Sequence, residues 1–141
     1  MLDDDTHRNL VALVPAALPA ESRIEQPLIG REQRDLLCAL AYVALGIGDA
    51  DQAVTLLALV ARETPDDAGV LRLLAYAHVE AGDGALALAA LDRLATVEPG
   101  EAPPLLLLRS HALRLAGDLT EGQAWFRRFV EARNRFEEAR S

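Results

Sequence analysis

The chain has a single cysteine, Cys38, which rules out a disulfide framework and a cysteine-built zinc cluster. It has no lysine: its fourteen basic residues are all arginine, set against 22 acidic ones. The resulting formal charge of -8 argues against a nucleic-acid partner, whose phosphates the net field would repel. No apolar run reaches the roughly 18 to 20 residues that a spanning helix requires. No basic segment followed by an apolar one opens the chain either. The reading is a cytosolic protein without direct membrane insertion. A glycine-rich phosphate loop is missing too. Aromatic residues are few, with one tryptophan, two tyrosines and three phenylalanines, so their positions carry information.

What the chain has is apolar material and a repeat. Half of its 141 residues are apolar, enough for one domain with a continuous core. A shift of 34 residues aligns ten identical pairs without a gap, among them Leu37/Leu71, Leu40/Leu74, Tyr42/Tyr76, Ala53/Ala87 and Leu57/Leu91. Gly48-Asp49 and Gly82-Asp83 fall in phase, as do Pro65 and Pro99. A third copy follows at an offset of 35 with Leu106, Ala112, Gly117, Asp118 and Phe126, the extra residue falling in the linker 99–104. Several positions of that copy depart from the pattern. Arg109, Ser110 and Gly122 stand where the second copy has Leu74, Ala75 and Ala87.

A period of 34 is that of the tetratricopeptide repeat, a helix-turn-helix unit. The expected fold is therefore all-α: a solenoid of three such repeats, over about 34–67, 68–102 and 103–138, with the last helix as C-terminal cap. Helices are expected at about 31–46, 50–63, 67–81, 84–96, 103–116 and 119–138. Each Gly-Asp ends a helix A and starts a turn, since Gly accepts the left-handed conformation and Asp can hold backbone donors. Ala53 and Ala87 are small where helices A and B meet. Stacking is expected to bury the faces holding Leu36, Leu40, Val43, Leu57, Val60, Leu71, Leu74, Leu91 and Leu94. In the cap, Trp125, Phe126, Phe129 and Val130 are expected to close the core. Phe136 lies past the repeat end, where it continues the cap or is open to a partner.

Residues 1–30 hold three prolines and no copy of the repeat. They read as a leader with one short amphipathic helix between Asp5 and Leu13, capped by Asp5 or Thr6. Three readings stay open for it: a mobile leader, a segment lying on the array or on a neighbouring chain, or a stretch foreign to the domain.

Catalysis finds little to stand on. His7, His78 and His111 have no partner at metal-ligand spacing. His78 falls at a helix-packing position and reads as a structural histidine. Cys38 has no His or Asn beside it in the repeat frame and reads as a structural thiol. Asp3–Asp5 and Asp66-Asp67 read as solvated, the second pair serving a helix start. The chain is expected to be no enzyme and to hold neither metal nor cofactor.

Binding is better served, because stacked repeats present a concave surface built from their A helices. The inward slots read Asp35, Cys38, Tyr42 and Leu45; then Gly69, Arg72, Tyr76 and Val79; then Pro104, Leu107, His111 and Arg114. Both tyrosines take the same slot of consecutive repeats, and His111 takes it in the third. The candidate partner site is Cys38, Tyr42, Leu45, Arg72, Tyr76, Val79, Leu107, His111 and Arg114, a groove for an extended or helical peptide. Tyrosine supplies rigid contact area with a polar tip. The alternatives are that the tyrosines pack on their own helix B, or that the leader fills the groove.

Residues 107–133, LLRSHALRLAGDLTEGQAWFRRFVEAR, and 32–60, EQRDLLCALAYVALGIGDADQAVTLLALV, resemble the SctY (YscY-like) co-chaperones of bacterial type III secretion. The shared pattern of the third repeat is a Leu-Ser/Arg-x-Ala helix, Gly-Asp-Leu, and a helix with an aromatic pair and a closing Glu. The resemblance implies a cytoplasmic co-chaperone that holds a small SctX-like (YscX-like) early export partner. It also implies that the pair docks on the cytosolic domain of an SctV-like export gate. Two other readings remain: a translocator chaperone of the same system, for which the leader would suit as a dimerising extension, and a generic repeat scaffold. Gly122 departs from the Ala usual in the family, so the last helix pair is expected to pack less tightly.

Overall fold

A computed structural model describes residues 29–100 and 102–140 of the chain. Six helices follow one another with short connections: α1 Arg31–Gly46, α2 Ala50–Glu63, α3 Ala68–Glu80, α4 Gly84–Val97, α5 Pro103–Leu115 and α6 Leu119–Arg140. They make up 83% of the described residues, among which there is no strand. Consecutive helices pair as α1/α2, α3/α4 and α5/α6, and the pairs stack as a helical repeat solenoid. The leader and its short helix at Asp5–Leu13 lie outside the described residues.

Each Gly-Asp step does two jobs at once. Gly48, Gly82 and Gly117 sit at φ of 86°, 83° and 92°, the left-handed region that favours glycine. With the chain reversed there, the amides of Asp49, Asp83 and Asp118 donate back to the carbonyls of Ala44, His78 and Leu113 at 2.8 to 2.9 Å. That closes helix A by the six-to-one bond of a Schellman motif. The same aspartates then accept from Gln52, Leu86 and Glu121 amides at 3.0 to 3.2 Å, capping helix B. Asp67 caps α3 in the same way through the Val70 amide. No side chain caps α5; Pro103-Pro104 opens it instead, where missing amides cost nothing.

Two apolar clusters join the repeats. Ala41, Ala44, Ala53 and Leu57 meet Leu74 and Ala77 of α3, while Leu71, Ala75, Ala87, Leu91 and Leu94 meet Ala112 of α5. At about 1.5 to 3 kcal/mol for each fully buried large aliphatic side chain, these seams dominate stability. Alanine at Ala53 and Ala87, both fully buried, lets helices A and B approach. His78 is buried in α3, at the packing position its register assigns.

Part of the expected core is on the outside. Leu36, Leu40 and Val43 are exposed, Leu40 by 47%, whereas Val70, Leu74 and Ala77 in the same slots of repeat 2 are buried, Leu74 to 9%. Those slots pack against the preceding helix pair, and among the described residues repeat 1 has none before it. The other end behaves alike. Trp125, Phe129 and Val130 are half-buried, but Phe126 is 46% exposed although Leu91, in the equivalent slot, is 3% exposed under α5. Phe136 is exposed as well, with the Arg140 guanidinium 6.0 Å from its ring.

Two departures of the last repeat, Ser110 and Gly122, meet across the α5/α6 contact. Ser110 Oγ donates to the Gly122 carbonyl oxygen at 2.7 Å in a buried site. A Cβ on Gly122 would stand 2.7 Å from Arg114 Cγ and 3.2 Å from the Ser110 carbonyl oxygen. The expectation of looser packing at Gly122 is thus reversed, since the missing methyl is what admits the Arg114 stem. Arg109, in the slot of Leu74, donates to Asp92 at 2.9 Å and lies 5.1 Å over the Trp125 ring.

Candidate functional site

The A helices place the sequence-selected residues along one face, but not all of them together. Tyr42 and Leu45 of α1 and Tyr76 of α3 line one cleft of about 220 Å³ with Gly46 and Leu73. Tyr42 is 71% exposed and Tyr76 45% exposed, so neither ring is consumed by packing on its own helix B. Val79 of α3 and His111 and Arg114 of α5 line a second cleft of about 430 Å³, completed by Leu115 and Leu119. Tyr76 and Val79 are three residues apart on α3, so the two clefts share a helix face.

Three expected members stand apart from both clefts. Arg72 is engaged across the repeat by an ion pair with Glu98, the residue that ends α4. Leu107 is half-buried on α5 and lines neither cleft. Cys38 is half-buried beside the first seam. Burial pushes its thiol pKa up, and the carboxylates of Asp67 and Asp35 push it the same way against the Arg34 guanidinium, which disfavours the thiolate.

The inward-slot frame missed Leu73, Leu115 and Leu119. Leu119 was detectable: it is a large aliphatic residue in the helix-B start that carries Ala50 and Gly84 in the other repeats. Leu73 and Leu115 each follow an inward slot and carried no separate signal.

The ion pairs lie around the clefts rather than in them. Besides Arg72–Glu98, Arg93 donates from Nε to the Pro65 carbonyl at 2.7 Å and reaches Asp66 at 3.2 Å, and Arg109 pairs with Asp92. All three link neighbouring helices or linkers, two at exposed positions and the third with Arg109 partly covered, where surface pairs contribute about 0 to 1 kcal/mol. Arg114 and His111, by contrast, have no side-chain partner among the described residues. No group of three or more His, Cys, Asp or Glu able to hold a metal ion occurs among the described residues. No described helix is long and apolar enough to cross a membrane. The geometry can therefore bind large apolar side chains in two adjoining clefts and offer a cation beside the second. No family model matches the chain, and no curated protein matches it.

Proposed function

We propose that this chain is a non-enzymatic, cytoplasmic co-chaperone of a bacterial type III secretion system. It holds a small SctX-like partner on its A-helix face and presents it to an SctV-like export gate. The groove reading is carried by one observation: Tyr42 and Tyr76, in equivalent slots of consecutive repeats, are both exposed and flank one apolar cleft. Exposed, evenly spaced aromatic anchors on a rigid scaffold are what a peptide groove needs, because a pre-ordered surface spends little entropy on binding. The secretion assignment is supported by the resemblance of residues 32–60 and 107–133 to the SctY co-chaperones.

Co-purification from the host, with bound chains identified by mass, tests the partner. A small early export substrate supports the reading, and a large membrane-inserting translocator turns it to the alternative chaperone class. The groove is tested by the double change Tyr42→Ala and Tyr76→Ala. Each truncation of an aromatic anchor costs about 2 kcal/mol or more, so affinity for the small partner should fall a few hundredfold or more with helix content intact. A partner that survives loss of both tyrosines overturns the groove.

A further inference from the structure

Every internal seam of the array follows one rule: the surface made by one helix pair receives helix A of the next. Gly84 makes the closest approach, since a Cβ there would stand 2.3 Å from the Ala112 carbonyl oxygen and 2.5 Å from the Ala116 amide nitrogen. Leu91 is covered by the same docking of α5. At the last pair the equivalent surface is uncovered. Leu119, in the slot of Gly84, and Phe126, in the slot of Leu91, are both exposed. A cleft of about 250 Å³ opens there between Ser110, Gly122, Gln123 and Phe126. It shares Arg114 and Leu119 with the Val79–His111 cleft, so the two form one trough.

One residue changes the chemistry of this open seam. The slot that carries Leu45 and Val79 in the first two repeats, where both pack toward the next pair, carries Arg114 in the third. Its stem crosses Gly122, and its guanidinium has no ion-pair partner among the described residues. In a chain of net charge -8, the trough is lined by no carboxylate; Arg114 and His111 are its ionisable groups. The geometry points to a seventh helix supplied by a partner: an amphipathic helix that docks on the α5/α6 end as α5 docks on α3/α4, with an aspartate or glutamate on its apolar face to meet Arg114. This goes beyond the groove reading above, because the open end seam can receive a helix whether or not the tyrosine cleft binds the same partner.

The test uses the full chain and a random peptide display library as probe. Peptides that enrich should carry an acidic residue flanked by large apolar ones at helical spacing. Fluorescence anisotropy of the best peptide then compares the wild type with R114Q, which keeps the stem over Gly122, and with R114K, which keeps the charge. R114Q should lower affinity at least about tenfold, and R114K by less, with the loss shrinking at high salt. Replacing the peptide's acidic residue by its amide should cause the same loss as R114Q. Enriched peptides lacking an acidic residue, or binding unchanged in R114Q, would overturn the inference. If those same peptides are lost in Y42A/Y76A, the groove stands without it. Peptides lost in R114Q but kept in Y42A/Y76A support the end seam and remove the tyrosine ladder. No enrichment at all overturns both.

Discussion

Ser110 Oγ donates to the Gly122 carbonyl oxygen across the α5/α6 contact at 2.7 Å, and the pair is buried. The first two repeats hold alanine in the matching slot of helix A and in that of helix B, so this hydrogen bond is particular to the last pair. Ser110→Ala should therefore destabilise the array by about 0.5 to 1.5 kcal/mol, the net worth of one internal hydrogen bond. Denaturant unfolding followed by circular dichroism measures it, and a midpoint that does not move would mean that the bond contributes nothing.

Glycine at 84 is required by space, not by backbone conformation, because α5 backbone atoms stand 2.3 and 2.5 Å from where a Cβ would be. Gly84→Ala should cost roughly 1 to 3 kcal/mol through overpacking. The control is Gly46→Ala at the end of α1, where a Cβ would meet nothing within 4 Å. Alanine there should be neutral or stabilise by up to about 1 kcal/mol. Equal melting shifts for the two would contradict the close approach.

Leu74 and Leu40 occupy one slot of the repeat with opposite burial. Leu74→Ala should cost about 2 to 5 kcal/mol, since it empties a seam between two helix pairs. Leu40→Ala should cost well under half of that, because water already covers much of its side chain. Paired thermal melts decide the matter, and comparable losses would show that something buries Leu40 in solution.

That contrast marks how far the sequence could be read. The in-phase Gly-Asp steps of the first two repeats, carried on by Gly117-Asp118, placed the six helix ends that flank them to within a residue, because cap chemistry is local and repeats itself. Ala53 and Ala87 were legible for the same reason. Burial at the ends was not, because Leu36, Leu40 and Val43 look identical in pattern to the buried residues of repeat 2, and pattern does not say whether a neighbour exists. The site was legible in its slots, which gave Tyr42, Leu45 and Tyr76 one cleft and Val79, His111 and Arg114 another. The engagement of Arg72 by Glu98 was not legible, since that pair spans 26 residues and depends on how α3 meets the end of α4.

His78 gives the array a pH dependence. Burial holds its imidazole pKa below the ordinary value, and the nearby Asp83 carboxylate opposes this only in part. As pH falls below about 6.5, the unfolded chain takes up the proton and the folded chain resists it. Stability from this group is thus present above the unfolded value and lost as pH falls through the folded one. Melting temperature should drop between about pH 7.5 and pH 5.5, and His78→Leu, which installs the residue that repeat 3 has at Leu113, should flatten that slope. A slope unchanged in the variant would assign the effect to another group.

Trp125 is the only tryptophan, and two guanidinium groups lie near its ring, Arg109 at 5.1 Å and Arg128 at 4.1 Å from the ring centre. Arg109 also holds Asp92, so it ties α6 and α4 to α5 through one planar group. A lysine at 109 would keep the charge but not the flat stacking surface or the fork of donors. Arg109→Lys should therefore destabilise by about 0.5 to 1 kcal/mol, the size of a cation–π contact at a partly exposed site. Tryptophan emission should shift to the red as the half-buried ring gains water. Unfolding monitored by emission should still coincide with that monitored by helix content, because the cluster of Leu71, Ala75, Ala87, Leu91 and Leu94 with Ala112 couples the last repeat to the second. An emission transition that precedes the loss of helix would instead show that the last pair opens by itself, and that the Arg109–Asp92 tie, more than the apolar seam, holds it to the array.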